Sequence, residues 1–507
     1  MMEFHHFSSF SLIVQSLITI ILISLILKLG RKIFKTNGSR ASNNLPPGPW
    51  KLPILGSIHH LIGDLPHHSL RKLSQKHGPI MHMQLGETSA IVISSPEMAK
   101  EVLKTHDTAF SQRPRFVAIE ALTYGWSNLA FSPYGSYWKQ IRKICTLELL
   151  STKRVKSFQF IRMEEVSSLV RFVSMNIGSP INLTDEFLNM TYSITARAAF
   201  GEKTKDQDEY VSIIKETLTW SLALGVSNLF PSQKWLHVIS GVEKKVKEMH
   251  RTGDRVLDVI IAAATRKKDG DSSLLSILLS LRENGTSEFQ LTNNNIKAIL
   301  QDMLIAGGES TSLTVEWVFS EMLKNPRVLK KAQAEVREVF GNKDYVDEKG
   351  LEELKFLKAV IKESMRLHPA TPLLLPKECL KSCEINGYTI PIGTQVFINA
   401  WAIGRDPNYW IEAESFCPER FLDCEIDYRG SHFEFIPFGA GKRMCPGISF
   451  AIHNIELPLA QLLYYFDWNL PFGISHEDFD MTEHFGSTVR RKNDLFAIPT
   501  VHRNVPN

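Results

Sequence analysis

Apolar positions return along this chain in two rhythms. Over 137–150, 243–265, 292–323 and 351–367 they recur every three or four residues, the spacing that predicts amphipathic helices. Over 80–94 (IMHMQLGETSAIVIS) and 384–398 (EINGYTIPIGTQVFI) they alternate or cluster around turn residues, which predicts short strands. Helices and strands do not alternate as in a parallel α/β sheet. The pattern therefore predicts one large, mainly α domain with small β-sheets. No strand leads into a Walker motif or a dinucleotide-binding GxGxxG turn, so nicotinamide is not expected to bind this chain.

A third pattern stands at the start. Residues 11–27, SLIVQSLITIILISLIL, carry no charge, and with extension to Phe7 or Leu29 the run is long enough to cross a bilayer. Lys28, Arg31, Lys32, Lys35 and Arg40 follow it, whereas Glu3, His5 and His6 precede it. That asymmetry predicts a retained anchor with the bulk of the chain on the cytosolic side. A cleaved leader would carry its basic residues ahead of the apolar run. The polar stretch TNGSRASNN and then LPPGPW follow, the prolines fixing φ and stiffening the connection. The expected organisation is an anchor over 1–29, a linker with a proline-rich hinge over 30–49, and a catalytic domain over 50–507.

Composition narrows the function. At 507 residues and 43% apolar the chain can bury a large core, and a net charge of +4 without a basic stripe speaks against nucleic acid as a partner. The six cysteines are scattered, which predicts free thiols in a reducing compartment. Cys445 alone lies in a glycine-rich loop, FGAGKRMCPG, beside Lys442 and Arg443. No second Cys or His stands at zinc spacing from it. A metal held there would take one thiolate on one face, as haem iron does, with Gly439, Gly441 and Gly447 bringing the backbone near the sulfur and Arg443 meeting a propionate. A buried structural cysteine is the competing interpretation.

Phe438, Gly441, Arg443, Cys445 and Gly447 match the FxxGxRxCxG haem loop, and on these residues the chain resembles the cytochrome P450 superfamily. Further segments agree in order. Glu363 and Arg366 in KESMRLHP, followed by Arg420 in FCPERF, resemble the set that locks the fold around that loop. WKQIR at 138–142 resembles WxxxR, which implies that Trp138 and Arg142 reach the haem propionates. Lys377 in LLLPKE stands where relatives commonly carry Arg; it keeps the charge and loses the fork geometry.

AGGEST at 306–311 resembles A-G-x-D/E-T-T/S. Glu309 and Ser310 then hold the acid and alcohol positions, which pass protons to oxygen during its activation. Serine replaces the usual threonine, and Thr311 is the competing hydroxyl. Gly307 and Gly308 each cost a helix roughly 1 kcal/mol; a widened groove and close helix packing are the two explanations. The cofactor implied is haem b with Cys445 as axial ligand.

The resemblance runs from the anchor to the C-terminus and is to plant A-type microsomal members. Terpenoid oxidases such as premnaspirodiene oxygenases and indole-alkaloid enzymes such as tabersonine hydroxylases are the comparisons. It implies an NADPH- and O2-dependent monooxygenase on the cytosolic face of the endoplasmic reticulum. NADPH-cytochrome P450 reductase is the implied partner, docking through Lys139, Lys143 and Lys442. The substrate is expected to be a small, apolar sesquiterpene or diterpene, with an indole alkaloid as the alternative. Its pocket is expected within 111–128 (Phe116, Val117, Leu122), at Leu304, Ala306 and Gly307, at Ala370, Leu374 and Leu375, and at Ser487 and Thr488. A haem-thiolate isomerase or dehydratase and a non-catalytic haem-binding protein are the rival functions.

Overall fold

The computed structural model describes residues 44–506, except 202, 204, 222–225, 234–240, 267–272, 285–289, 342, 344, 472 and 487. The expected anchor, most of the linker and Ser487 lie outside the described residues, as does the Val117 side chain. No helix among the described residues is long and apolar enough to cross a membrane.

The predicted 292–323 helix forms over Asn293–Lys324 and is the axis of the molecule. Its start is fixed by a capping box: the Thr292 hydroxyl accepts from the Asn295 amide, and the Asn295 side chain accepts from the Thr292 amide. Asn325 and Pro326 end it, since proline's missing N–H opens the next helix, Pro326–Val339. At 32 residues this axis extends about 48 Å. It is buried on nearly every side, by Leu183–Phe200, Ile448–Tyr465 and Lys355–Leu367, and shares one large apolar core with them. The predicted 243–265 helix forms over Val242–Arg266. The predicted 137–150 helix is divided into an α segment, Ser136–Ile144, and a π turn, Cys145–Leu149.

Both β-like runs form strands. Ile80–Leu85 pairs antiparallel with Thr88–Ile93, which lies parallel to Gln395–Ile398 with Ile91 opposite Val396. Lys377–Glu378 closes the other edge of that four-stranded sheet. Cys383–Ile385 and Tyr388–Ile390 form a separate hairpin, and Glu483–Phe485 with Val489–Arg491 another. The proline segment is no free connector: Pro46 and Pro49 are buried, and His82 donates its amide to Pro47 at 2.9 Å. A Cβ on Gly48 would stand 1.9 Å from the His82 carbonyl oxygen, so residues 44–49 are docked on the first strand and belong to the folded body.

Candidate active site

Cys445 lies where its loop folds back on itself, its amide donating to the Phe438 carbonyl at 3.0 Å. Phe438 is half-buried and packs edge-on against Tyr428. Gly441 sits at φ +72°, and a Cβ there would meet the Leu103 carbonyl oxygen at 2.2 Å. Only glycine satisfies both demands. Cys445 as a residue is half-buried. Burial raises the thiol's pKa, while a bond from the Gly447 amide and the nearby Arg142 guanidinium pull it down. A thiolate at that depth requires a stronger cation, which is what a bound metal supplies.

Beside the loop is a cluster of cations. Arg443 donates to the carbonyls of Ser111 (2.8 Å), Leu129 (3.3 Å) and Ser132 (2.6 Å), and its guanidinium lies 4.2 Å from the centre of the Trp138 ring. Burial lowers its pKa to about 8, with Arg113 and Arg142 adding repulsion. Trp138 is buried and donates its indole N–H to Leu129 at 3.1 Å; Arg142, one turn on, is half-buried. Arg113, which the sequence reading missed, donates to Ala130, Leu375 and Pro376. Lys377 is the exception. It is 4% exposed, its ammonium finds no hydrogen-bond acceptor among the described residues, and burial followed by Arg113 lowers its pKa to about 7. Four buried or half-buried cations with one orphaned ammonium among them are a receptor for carboxylates. Both this receptor and the thiol donor fit a haem with its two propionates.

The 306–311 face behaves differently from expectation. Ala306 is exposed although it lies in an interior helix, and Ser310, one turn later, is half-buried. Ser310 turns its hydroxyl back to Ala306. Thr311 is 1% exposed and its hydroxyl has no partner among the described residues. Glu309 accepts from the Thr488 hydroxyl at 2.9 Å, and burial raises its pKa. The helix stays α throughout this stretch, so the glycines do not open a groove by unwinding. They admit Leu183–Phe200: a Cβ on Gly308 would meet the Tyr192 ring at 2.5 Å, one on Gly307 the Thr195 methyl at 3.0 Å. Thr191 completes the contact by donating to the Gly308 carbonyl.

Glu363, Arg366 and Arg420 are assembled as one unit. Arg366 grips Glu363 with two bonds of 2.7 Å, both side chains fully buried, and spends its remaining donors on Gly404, Ala413 and Ser415. Arg420 and the Cys417 amide also donate to Glu363. The guanidinium is thus fully satisfied, which makes burial of the pair tolerable.

A cavity of about 130 Å³ lies between the four-stranded sheet and the Val117–Leu122 helix. Phe116, Leu374 and Leu375, three of the residues proposed for a substrate pocket, line it together with Phe131, Phe397 and Phe485. The other described residues expected at a pocket, Leu122, Leu304, Ala306, Gly307, Ala370 and Thr488, are not among its walls. Leu304 is fully buried in the main core, and Leu122 packs with Val246 and Met249. Both are apolar residues on helices buried on more than one side, where periodicity does not say which face meets a ligand. Ala370 engages the hairpin, accepting from the Val489 amide, and Thr488 serves Glu309. The cavity walls include neither Cys445 nor Ser310.

Lys139 and Lys143 are exposed, while Lys442 is tied to Asp107 by its amide (2.8 Å) and its ammonium (3.4 Å). Elsewhere His67, His68 and Glu483 converge in the spacing of a metal cluster. Glu483 accepts from both histidines, at 2.7 and 3.1 Å; burial raises its pKa, but His368, His67 and His68 together hold it far below the usual carboxylate range. The cluster is complete as a latch between the Pro66–His77 helix and the Glu483–Phe485 strand.

Comparison with known proteins agrees. The cytochrome P450 family model matches residues 46–496. The chain is 50% identical to a premnaspirodiene oxygenase of Hyoscyamus muticus, over 96% of this chain and 98% of that one. It is 50% identical to a desmethyl-deoxy-podophyllotoxin synthase of Sinopodophyllum hexandrum, over 95% and 96%. Among solved structures, a zebrafish cytochrome P450 with abiraterone superposes with a TM-score of 0.74 at 25% identity, over 87% of this chain and 99% of that one.

Proposed function

The chain belongs to the cytochrome P450 family and is an NADPH- and O2-dependent haem-thiolate monooxygenase, and on that premise we propose that Cys445 is its axial ligand and an apolar terpenoid its substrate. The observation that carries the assignment of the centre is the pairing of a recessed thiol with an orphaned, buried ammonium at Lys377.

When bound, the haem activates O2 with electrons delivered by a reductase. Cys445 would supply the thiolate that holds the haem, and Arg113, Trp138, Arg142, Lys377 and Arg443 would face its carboxylates. Ser310 presents a hydroxyl from the exposed face of the central helix. Glu309 holds a proton more tightly than an ordinary carboxylate and is oriented by Thr488. The aromatic and leucine walls of the cavity exclude water and accept the hydrocarbon body of the substrate. Few polar groups line it, so shape decides which carbon is presented. A sesquiterpene or diterpene suits such walls, and the similarity to a premnaspirodiene oxygenase supports the same class. The apolar run at 11–27 serves as the membrane anchor on this reading, and Lys139 and Lys143 as docking cations for an acidic reductase surface.

The test is turnover by microsomes containing this chain and its reductase, supplied with a panel of sesquiterpenes, diterpenes and indole alkaloids. Oxygenated terpene product that requires NADPH and O2 supports the proposal. Turnover of alkaloids alone moves the substrate class, and rearrangement without O2 or NADPH overturns the reaction type.

A further inference from the structure

The central helix carries a half-buried carboxylate, Asp302, that the proton path does not use. Asp302 stands one turn before Ala306 and accepts three bonds: Asn128 Nδ2 at 2.8 Å, the Leu129 amide at 2.7 Å and the Ala130 amide at 3.0 Å. All three donors belong to one short strap, 128–132. The strap is folded tightly, since the Asn128 side-chain oxygen accepts from the Phe131 amide at 3.2 Å.

Its carbonyls point to the other side. Leu129 accepts from both Trp138 and Arg443, Ala130 accepts from Arg113 at 3.0 Å, and Ser132 accepts from Arg443. The Leu129–Ala130 peptide unit is thus held by Asp302 at its N–H and by Trp138 and Arg443 at its C=O, and the next unit, whose N–H is held by the Asn128 side chain, offers its C=O to Arg113. A peptide plane is rigid, so fixing one edge fixes the other.

We propose that Asp302 is a positioning residue for the haem: by anchoring the 128–132 strap it sets the orientation of Arg113, Trp138 and Arg443 toward the propionates, a role that rests on the haem assignment above. Without its carboxylate two buried amides lose their acceptor, and the strap must move to satisfy them. Rim side chains bonded to its carbonyls move with it. Asn128 reports the polarity of the arrangement. An asparagine at 302 would place its NH2 against the NH2 of Asn128, whereas aspartate at 128 with asparagine at 302 restores every bond with the charge on the other partner.

The experiment uses the full-length holoenzyme and measures transfer of haem to excess apomyoglobin, alongside thermal unfolding. Asp302→Asn should speed haem loss on the order of tenfold or more, the scale of one lost charge-assisted hydrogen bond. The exchange Asn128→Asp with Asp302→Asn should return it to within about threefold of wild type. Asn128→Ala, which removes one of the three bonds to Asp302 and the bond to the Phe131 amide, should fall between and covers the case in which Asp302→Asn does not fold. Haem loss unchanged in Asp302→Asn, or in Asn128→Ala where only that variant folds, overturns the proposal, as does an exchange variant that loses haem as fast as Asp302→Asn. Wild-type protein that binds no haem with a thiolate spectrum contradicts the haem assignment itself, a separate result.

Discussion

Ser310 donates its hydroxyl to the carbonyl oxygen of Ala306, 2.6 Å away and one helical turn earlier. The hydroxyl proposed to pass protons is thereby engaged with its own helix, as serine in a helix readily is. Threonine at this position would carry a methyl that restricts χ1. Ser310→Thr should therefore preserve or raise product formed per NADPH consumed, and Ser310→Ala should lower it and raise hydrogen peroxide release. Thr311, buried and without a hydrogen-bond partner among the described residues, is expected to matter for packing only, so Thr311→Val should leave coupling intact. Peroxide and product titration against NADPH decides it; loss of coupling in Thr311→Val with none in Ser310→Ala would transfer the role to Thr311.

Gly308 should be the less replaceable of the two helix glycines. Alanine gains about 1 kcal/mol of helix propensity at either position. At 308 its methyl meets the buried Tyr192 ring at 2.5 Å, and overpacking of that kind costs about 1–3 kcal/mol. At 307 the nearest atom is a threonine methyl at 3.0 Å, which can shift. Thermal unfolding should show Gly308→Ala less stable than Gly307→Ala, with Gly308→Ala recovering when Tyr192→Leu is added.

The Glu363 cluster should be intolerant of uncharged replacement. Two arginines and one amide depend on that carboxylate, and one arginine is fully buried. Glu363→Gln leaves a buried guanidinium uncompensated, at a cost of about 3–5 kcal/mol. Unfolding midpoints and the haem content of purified protein measure it; near-wild-type values for both would contradict the structural role.

Lys377 should act in opposite directions on the protein with and without haem. Burial holds its pKa at about 7, against 10.5 for the ordinary side chain, so keeping it charged in the haem-free fold costs on the order of 5 kcal/mol. That cost is complete below pH 7 and shrinks as pH rises toward 10.5. Lys377→Met should then stabilise the haem-free protein, most strongly below pH 7, while speeding haem loss from the loaded protein. Equal destabilisation of both forms would contradict a propionate contact.

Legibility in the sequence followed the range of the interaction. The central helix, both strand pairs and the Cys445 loop were readable because periodicity, turn residues and a local motif announce them. Direction was harder: Leu122 and Leu304 are apolar on helices packed from several sides, so nothing local separates core from cavity. Asp302 left only a weak signal, a carboxylate among apolar neighbours of the central helix, and its partners at 128–130 are remote in sequence. The latch of Glu483 with His67 and His68 spans more than 400 residues and has no sequence signature at all. Gly307 and Gly308 were visible, but close packing became distinguishable from a widened groove only once Tyr192 and Thr195 were in place.

The assignment of Cys445 as axial ligand is tested most directly by the carbon-monoxide difference spectrum of the reduced enzyme, recorded for wild type and for single cysteine-to-serine variants. The wild type should show the Soret band of a thiolate complex. Cys445→Ser should abolish it, while Cys145→Ser and Cys379→Ser, whose buried thiols have pKa values driven up by burial, should retain it. A thiolate-type band that persists in Cys445→Ser would contradict the account.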